Sequence, residues 1–314
     1  MREDKLEEKL IVIGLATFMR PKYLAEALES VSKLMVPKGY ALHLVVVDND
    51  EKGSAKPIVD AIRSQIPFAV TYNIEKERGF PNVKNNSIEE AIKLDADFIA
   101  FFDDDAAVPE DWLVQFLKTD ADVVEGVADF ILPKNVKVSP LIEYYYKVMK
   151  IKTLETGATR KSCTSTNVFF DAKLVRDWGL RFNKEFSVLG GSDVDFFSRA
   201  YKKGAVIKYS HLARVFEKVP ETRANKWWLL RRWFRLGTSA ALRYRLSYSY
   251  PVALIKVLIK SISRIIVGIP LLLVAPFFSV EYQARQLHRF TFGVGLLLGI
   301  FGVRYQEYKK IHGA

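Results

Sequence analysis

The sequence is poor in cysteine and lacks an apolar segment at its N-terminus. Cys163 is the one cysteine among 314 residues, which excludes an internal disulfide and fits a reducing compartment. The first nine residues are dominated by charged side chains, so they do not form the apolar segment of a signal peptide. We therefore expect the main folded part of the chain to stay in the cytoplasm.

Acidic side chains are absent from residues 225–264, although nine lysines and arginines lie there. The whole chain has 47 basic and 36 acidic residues, which gives a formal net charge of +11. A basic block of this kind attracts phosphate in nucleic acid, in nucleotides or in anionic lipid. Because its basic residues are interleaved with Trp, Leu and Ile, we favour an anionic membrane surface and expect no nucleic-acid partner.

Uncharged stretches near the C-terminus are too short to span a membrane. Residues 265–280 and 290–303 form uncharged stretches of sixteen and fourteen residues, each flanked by Arg or Lys. A spanning helix needs roughly 20 residues. We predict interfacial or re-entrant helices on the cytoplasmic face of the cell membrane, with basic flanks on anionic headgroups. Two tilted spans, or a buried interface in a homo-oligomer, are the alternatives.

Apolar segments of strand length alternate with helical segments through the first hundred residues. Strands are expected at residues 10–16, 42–47, 68–73 and 97–102. Strands separated by helices imply right-handed crossovers and an α/β fold, with a mostly parallel sheet and helices on both faces. We expect this domain to cover residues 1–222, followed by a basic, aromatic and apolar helical region over residues 223–314.

Polar side chains follow each expected strand. Thr17 and Arg20 come after the first strand, Asp48 after the second and the polar segment 78–85 after the third. The carboxyl ends of parallel strands meet at one edge of a sheet, where α/β folds keep their ligands. These side chains should therefore converge on one rim, although Asp48 could equally cap a turn.

The fourth strand runs directly into Asp103, Asp104 and Asp105. Three adjacent carboxylates repel one another and lose hydration, so a fold that places them at a strand end usually offsets them with a cation. Oxygen ligands favour Mg2+ or Mn2+ over zinc. The alternative is a solvated turn or helix cap before Pro109.

A glycine pair, Gly190 and Gly191, precedes Ser192, Asp193 and Val194. Glycine lets the backbone approach a ligand closely, and an acid at a helix start is stabilised by the helix dipole while it faces the site. The alternative is that the acids of this segment only cap the helix.

These motifs together resemble the inverting glycosyltransferases of family 2 over about residues 10–245. The resemblance rests on Thr-x-x-Arg, Val-Val-Asp-Asn, Gly followed six residues later by Asn, and Asp-Asp-Asp, in the family's order. It implies a GT-A fold and a nucleotide-diphosphate-sugar donor.

The resemblance also implies roles for single residues. Thr17 or Arg20, together with Asp48, would contact the nucleotide base or ribose. Asp103 would lie near the ribose and Asp105 on the metal that bridges the diphosphate. The other donor-binding residues that the resemblance implies are Gly79, Asn82, Lys84 and Asp104.

The glycine pair resembles the start of the family's Gly-Gly-Glu-Asp-x-Asp segment, which implies that Asp193 is the catalytic base. Ser192 replaces the usual Glu, which puts in doubt the acceptor contacts that the Glu normally makes. Some metal-dependent relatives use a His near position 211 as a further ligand, and a structural role is the alternative for His211.

An arginine-rich helix is expected over residues 227–237. The resemblance implies that Arg231, Arg232 or Arg235 contacts pyrophosphate, and the planar guanidinium pairs bidentately with phosphate. Mixed aromatic residues and arginines also make an interfacial membrane surface, and both uses can coexist on opposite faces.

We therefore expect a metal-dependent enzyme that moves a sugar to an acceptor hydroxyl with inversion. As a hypothesis, the acceptor is a lipid-linked saccharide in cell-surface polysaccharide synthesis. The competing interpretations are a nucleotidyltransferase or metal phosphohydrolase on a similar sheet, and an inactive membrane scaffold.

Overall fold

The computed structural model describes residues 8–149, 154–187 and 189–305. Within them, one sheet of nine strands is flanked by helices, and three long helices follow. The strands are β1 (Lys9–Thr17), β2 (Tyr40–Asp48), β3 (Ala69–Ile74), β4 (Phe98–Asp103), β5 (Ala106–Ala107), β6 (Val123–Ile131), β7 (Thr159–Arg160), β8 (Asn167–Asp171) and β9 (Ile207–Lys218). The helices are α1 (Pro21–Ser32), α2 (Lys56–Ile62), α3 (Phe80–Lys93), α4 (Trp112–Leu117), α5 (Pro140–Tyr144), α6 (Lys173–Arg176), α7 (Ser192–Lys202), α8 (Lys226–Ser247), α9 (Tyr250–Val274) and α10 (Val280–Ile300).

The sheet has the strand order β3-β2-β1-β4-β8-β6-β9-β5, and β7 pairs with β9. Its first four strands are parallel. The other half is mixed, because β8 runs antiparallel to both β4 and β6, whereas β6 and β9 are parallel. The predicted α/β class with flanking helices is therefore confirmed, and the sheet is mixed beyond β4.

Both faces of the central strands are buried. In β1, Ile11, Ile13 and Leu15 pack into one apolar cluster with α1, whereas Val12 packs into a second cluster with α3 and α7. A strand covered on both faces reads as a continuous apolar run because neither face meets water. This double burial fixes the strand ends, and with them the polar residues that follow.

The mixed half of the sheet is held together by a buried asparagine. Asn167 donates from its side-chain nitrogen to the carbonyls of Val127 and Ala213, at 2.9 and 2.8 Å. Its side-chain oxygen accepts from the indole nitrogen of Trp112 at 2.9 Å. Asn167 thus joins β6, β8, β9 and α4, because both of its donated hydrogen bonds and one accepted bond lie inside the fold.

The three C-terminal helices pack through glycines. A Cβ atom at Gly237 of α8 would clash with the carbonyl of Phe292 in α10, and one at Gly295 would clash with the carbonyl of Phe234. A Cβ atom at Gly299 of α10 would lie 2.7 Å from the Thr238 Cα. Small residues let helix backbones approach closely, so α8 and α10 form a rigid pair.

The helix α9 differs from the sequence expectation. The uncharged stretch 265–280 is not a separate element, because α9 begins at Tyr250 and includes Lys256, Lys260 and Arg264. Among the described residues, Tyr250–Phe277 is the one segment long and apolar enough to cross a membrane, judged by length and composition alone. Splitting the sequence at charged residues therefore underestimated the length of this helix.

Candidate active site

A cavity of about 760 Å3 lies at the carboxyl ends of β1 and β4. Thr17 and Asp103, the last residues of these strands, and the residues just after them form one wall. Ser192 and Asp193 at the start of α7 and several side chains of α8 complete it. The predicted convergence on one rim is thus present for Thr17, Arg20, the aspartate triplet and part of the segment 78–85.

The aspartate triplet is held by arginines. Asp104 accepts hydrogen bonds from the Thr17 hydroxyl at 2.8 Å and from Arg20 at 2.9 Å. Asp105 accepts from Arg20 at 3.2 Å and from Arg223 at 3.3 Å. Burial by itself lowers the pKa of Arg20, but the carboxylates of Asp104 and Asp105 outweigh burial and raise this pKa above its usual value. Asp104 is therefore an internal anchor of the rim.

Asp103 faces a buried lysine. The Lys84 ammonium lies 3.9 Å from the Asp103 carboxylate and 4.2 Å from the centre of the Phe101 ring. Burial raises the pKa of Asp103, with Lys84 opposing this shift, and burial lowers the pKa of Lys84. Of the three aspartates, Asp103 keeps the most exposed side chain, at 29%. Lys84 therefore contacts the triplet from inside the fold. It is not among the described residues that line the cavity, so the expected direct contact between Lys84 and the donor is not seen.

The segment before α7 brings the predicted base to the same cavity. Gly190 and Gly191 adopt φ values of +70° and +90°, which favour glycine. Asp193 lines the cavity and accepts from the Val194 amide at 2.8 Å. Asp195 instead pairs with Arg199 at 2.9 Å, one helical turn away. The structure thus gives different surroundings to two acids, Asp193 and Asp195, that lie two positions apart in the sequence.

The opposite rim contains Arg78 and Asn49, which the sequence analysis placed in a polar segment and in a motif without naming them as binding residues. The Arg78 guanidinium lies 3.5 Å from the centre of the Phe18 ring. Asn49 accepts from the Gly79 amide at 2.9 Å and donates to the carbonyl of Glu75 at 2.8 Å. Gly79, with φ of +139°, also lines the cavity, and a Cβ there would lie 2.6 Å from the Ser187 Cβ. Only glycine fits at this contact between the two rims.

Two residues expected to bind the donor have structural roles. Asp48 is fully buried and accepts from the Ala55 amide at 2.8 Å and the Tyr72 hydroxyl at 2.9 Å, so it closes the turn after β2. Asn82 donates to the carbonyls of Glu77 and Arg78 at 3.3 Å each. Neither residue lines the cavity in the described part of the chain.

Two further expectations need correction. Arg231 is exposed and lies outside the cavity wall, whereas Arg232 and Arg235 line it, because helical periodicity turns adjacent positions by about 100°. His211 is exposed on β9, where its ring nitrogen lies 2.6 Å from the Thr156 hydroxyl. Since His211 is not among the cavity-lining residues of the described chain, the structure does not place it with the triplet as a metal ligand.

Other cavity residues come from segments remote from the recognised motifs. Glu217 is the second-last residue of β9, and Arg223 lies in the turn that follows. No local pattern distinguishes them from ordinary surface charges, so only the fold reveals them. Further lining residues that the sequence analysis did not name as site residues include Tyr146, Thr164, Ser165, Thr166, Trp228, Leu236, Arg243 and Phe292.

The carboxylates of this cavity fit a hard divalent cation. Asp103 and Asp105 offer oxygen ligands, which Mg2+ and Mn2+ prefer. Among the described residues, no group of three or more His, Cys, Asp or Glu side chains is arranged to hold a metal ion. Mg2+ is commonly bound by one or two carboxylates together with substrate phosphates, so an aspartate pair is sufficient.

Comparisons with known proteins agree with this geometry. Residues 12–179 match the family model described as "Glycosyl transferase family 2". The chain is 34% identical over 232 residues to the succinoglycan biosynthesis protein ExoM of Rhizobium meliloti (strain 1021), which covers 72% of each chain.

Solved structures show the same fold. Mannosyltransferase PcManGT from Pyrobaculum calidifontis, in complex with GDP-Man and Mn2+, aligns with a TM-score of 0.60 at 16% identity, covering 92% of this chain and 87% of that one. TarS (1-349) of S. aureus, in complex with UDP-GlcNAc, aligns with a TM-score of 0.51 at 20% identity, covering 75% and 66%. At these identities the likeness establishes the fold alone.

The contacts of Asp104 lead to a stability prediction. We expect Asp104→Ala to lower the free energy of unfolding by about 2–4 kcal/mol, because the Thr17 hydroxyl and the Arg20 guanidinium lose a buried acceptor. Urea denaturation measures this change. Asp60→Ala, which removes the exposed partner of Lys56, is the control and should cost less than about 1 kcal/mol. Higher stability of Asp104→Ala would mean that repulsion within the triplet outweighs these bonds.

Proposed function

Because the chain belongs to glycosyl transferase family 2, we propose that it moves a sugar from a nucleotide-diphosphate donor to an acceptor hydroxyl with inversion at the anomeric carbon. One observation supports this most directly: the aspartate triplet and Asp193, which are far apart in the chain, line a single cavity. The alternative functions, a nucleotidyltransferase or a metal phosphohydrolase on a similar sheet, have no comparable support.

The donor is proposed to bind beside the triplet. Arg20, Arg78 and Arg223 line this end of the cavity, and guanidinium groups pair well with a diphosphate. Arg20 and Arg223 now contact Asp105, so donor binding would give their remaining N–H groups anionic partners. The structural relatives were solved with UDP-GlcNAc or with GDP-Man, which supports the donor class without selecting the base or the sugar.

A divalent cation, Mn2+ or Mg2+, is part of the proposal. Asp103 and Asp105 would hold it, and it would supply positive charge to the diphosphate as that group leaves. Asp103 suits this role because its side chain is the most accessible of the three. Mn2+ in the complex of PcManGT supports the choice of ion.

Asp193 is proposed to act as the base. Its carboxylate would accept the proton of the acceptor hydroxyl while the hydroxyl oxygen attacks the anomeric carbon, and the diphosphate would depart from the opposite face. Asp193 lies at the start of α7, where the helix dipole stabilises its charged form. Asp195 cannot share this role in the observed conformation, because it is paired with Arg199.

The acceptor is proposed to be a lipid-linked saccharide at the cytoplasmic face of a membrane. The cavity is also lined by Arg232, Trp228 and Phe292, which offer a cation and aromatic surfaces for a phosphorylated sugar. The similarity to a succinoglycan biosynthesis protein supports a place in polysaccharide synthesis.

One side of α9 is proposed to contact the membrane. Ile259, Ile266 and Leu273 repeat every seven residues and are 65%, 64% and 73% exposed, and Phe277 in the turn beyond is 87% exposed. Large apolar side chains on one helix face favour a lipid environment over water. Lys256 and Lys260 on the same helix suit anionic headgroups.

The assignment of the base gives a sharp prediction. We expect Asp193→Asn to bind donor normally but to lower the rate of sugar transfer by about 100-fold or more, because the amide cannot accept the acceptor's proton. Nucleotide sugars are first screened by metal-dependent thermal shift, and the donor found is then used in transfer assays. Asp195→Asn is the matched control, with transfer close to normal. Full transfer by Asp193→Asn would contradict the proposed base.

The metal assignment is tested by binding rather than turnover. Asp103→Ala and Asp105→Ala should each weaken Mn2+ binding in the presence of a nucleoside diphosphate by about tenfold or more, because each removes a charged oxygen ligand. Titration calorimetry measures the affinity. Asp120→Ala, which changes an exposed aspartate, serves as the comparison. Unchanged Mn2+ affinity in both cavity variants would place the ion elsewhere.

The membrane assignment predicts a loss of lipid binding. The double substitution Ile259→Asp and Ile266→Asp should weaken binding to vesicles of phosphatidylcholine and phosphatidylglycerol by about tenfold or more, since burial of each Ile is worth about 1.5–3 kcal/mol. Co-sedimentation measures the bound fraction. The variant Val36→Asp, which changes an exposed apolar residue outside the C-terminal helices, should bind vesicles normally. If the unaltered protein, the double variant and Val36→Asp bind vesicles equally, α9 does not contact the membrane.

A further inference from the structure

One face of α8 lies directly against the segment that carries the proposed base. We call this segment the base loop and define it by Ser187, Leu189, Gly190 and Gly191, which precede Asp193 in α7. The α8 residues that face it are Arg235, Ser239, Leu242 and Arg243. Their spacing of four, three and one positions places them on a single side of the helix.

Two buried side chains of α8 hold one carbonyl of the base loop. The Leu189 oxygen accepts from Arg235 Nη1 at 3.1 Å and from Ser239 Oγ at 3.1 Å. Ser239 is 1% exposed and Arg235 is 7% exposed, so water does not compete freely for this carbonyl. A carbonyl with two such donors is fixed in direction as well as in position.

Apolar and steric contacts reinforce these hydrogen bonds. Leu189 packs with Phe186 and with Leu242 of α8 in a small buried cluster. A Cβ atom at Gly191 would lie 3.0 Å from Arg243 Nη1 and 3.3 Å from the Ser239 Cβ. The loop backbone therefore lies closely against α8 at Gly191.

The base loop needs such support because it contains two consecutive glycines. Glycine has more backbone freedom than any other residue, so the short connection from Leu189 to Asp193 is not rigid on its own. The opposite side of α8 is fixed against α10 through Gly237 and Gly295. The helix can therefore serve as a firm support for the loop.

We infer that Arg235 and Ser239 are positioning residues, which act through the Leu189 carbonyl to hold Asp193 at the reacting hydroxyl. This inference rests on the proposed function, because it takes Asp193 as the base. It also gives Arg235 a second role beside the pyrophosphate contact expected from the sequence. Small displacements of a reacting group, of about 1 Å, can cost about 100-fold in rate.

The test combines a local and a kinetic measurement on the full chain. Ser239→Ala should raise the hydrogen-exchange rates of the Leu189, Gly190 and Gly191 amides and lower kcat by about tenfold or more, while the KM for the donor stays unchanged. Ser239→Thr, which keeps the hydroxyl, should restore most of kcat. Ser32→Ala is the control, because Ser32 is an exposed helical serine with a similar bond to a backbone carbonyl.

Arg235→Lys provides a second arm that keeps the positive charge and one donor. Because both side chains act through the same carbonyl, its effect on kcat should combine with that of Ser239→Ala less than additively in free energy. Additive effects would indicate separate roles and overturn the inference.

The outcomes distinguish this inference from the proposed function. If Ser239→Ala leaves both exchange at the base loop and kcat unchanged, α8 does not position the base and the inference is wrong. If kcat falls without faster exchange in the base loop, the inference is equally wrong. In both cases the proposed function stands as long as Asp193→Asn abolishes transfer, since that variant tests the base itself.

Discussion

Three neighbouring carboxylates can be held in a partly buried cavity only when cations offset their mutual repulsion. Arg20 contacts two members of the triplet, Arg223 reaches the third position, and Lys84 approaches the first from inside the fold. Arg20 lies in the turn after β1, Lys84 lies in α3, and Arg223 lies in the segment before α8. The charge balance of the triplet thus joins the sheet to the C-terminal helices.

Local sequence patterns were sufficient to predict where the residues at the centre of the site lie. Thr17, Arg20 and the triplet lie at or just beyond the ends of buried apolar strands. Both faces of these strands are covered, which sets the backbone positions of the polar residues. Asp193 comes shortly after a glycine pair at the start of a helix, where a negatively charged side chain is favoured. In these places one short segment contains both the element that fixes the residue and the residue itself, so its location could be predicted.

Direction and long-range partners could not be predicted in the same way. Asp48 also follows a strand, but Tyr72 on the neighbouring strand and the Ala55 amide turn its carboxylate inward. Arg231 and Arg232 differ by one position, and only the packing of α8 decides which faces the cavity. Arg223 and Glu217 join the site from segments with no recognisable motif. Each outcome depends on a partner distant in sequence.

The packing of α8 has a practical consequence for producing smaller versions of the enzyme. The expected boundary at residue 222 falls between the sheet and the helices, yet Trp228, Arg232, Arg235 and Arg243 beyond it form part of the cavity wall. Removing residues 223–314 to improve solubility would therefore open one side of the cavity to bulk water. Preparing the full chain in detergent or in lipid nanodiscs would keep the helices and an enclosed cavity.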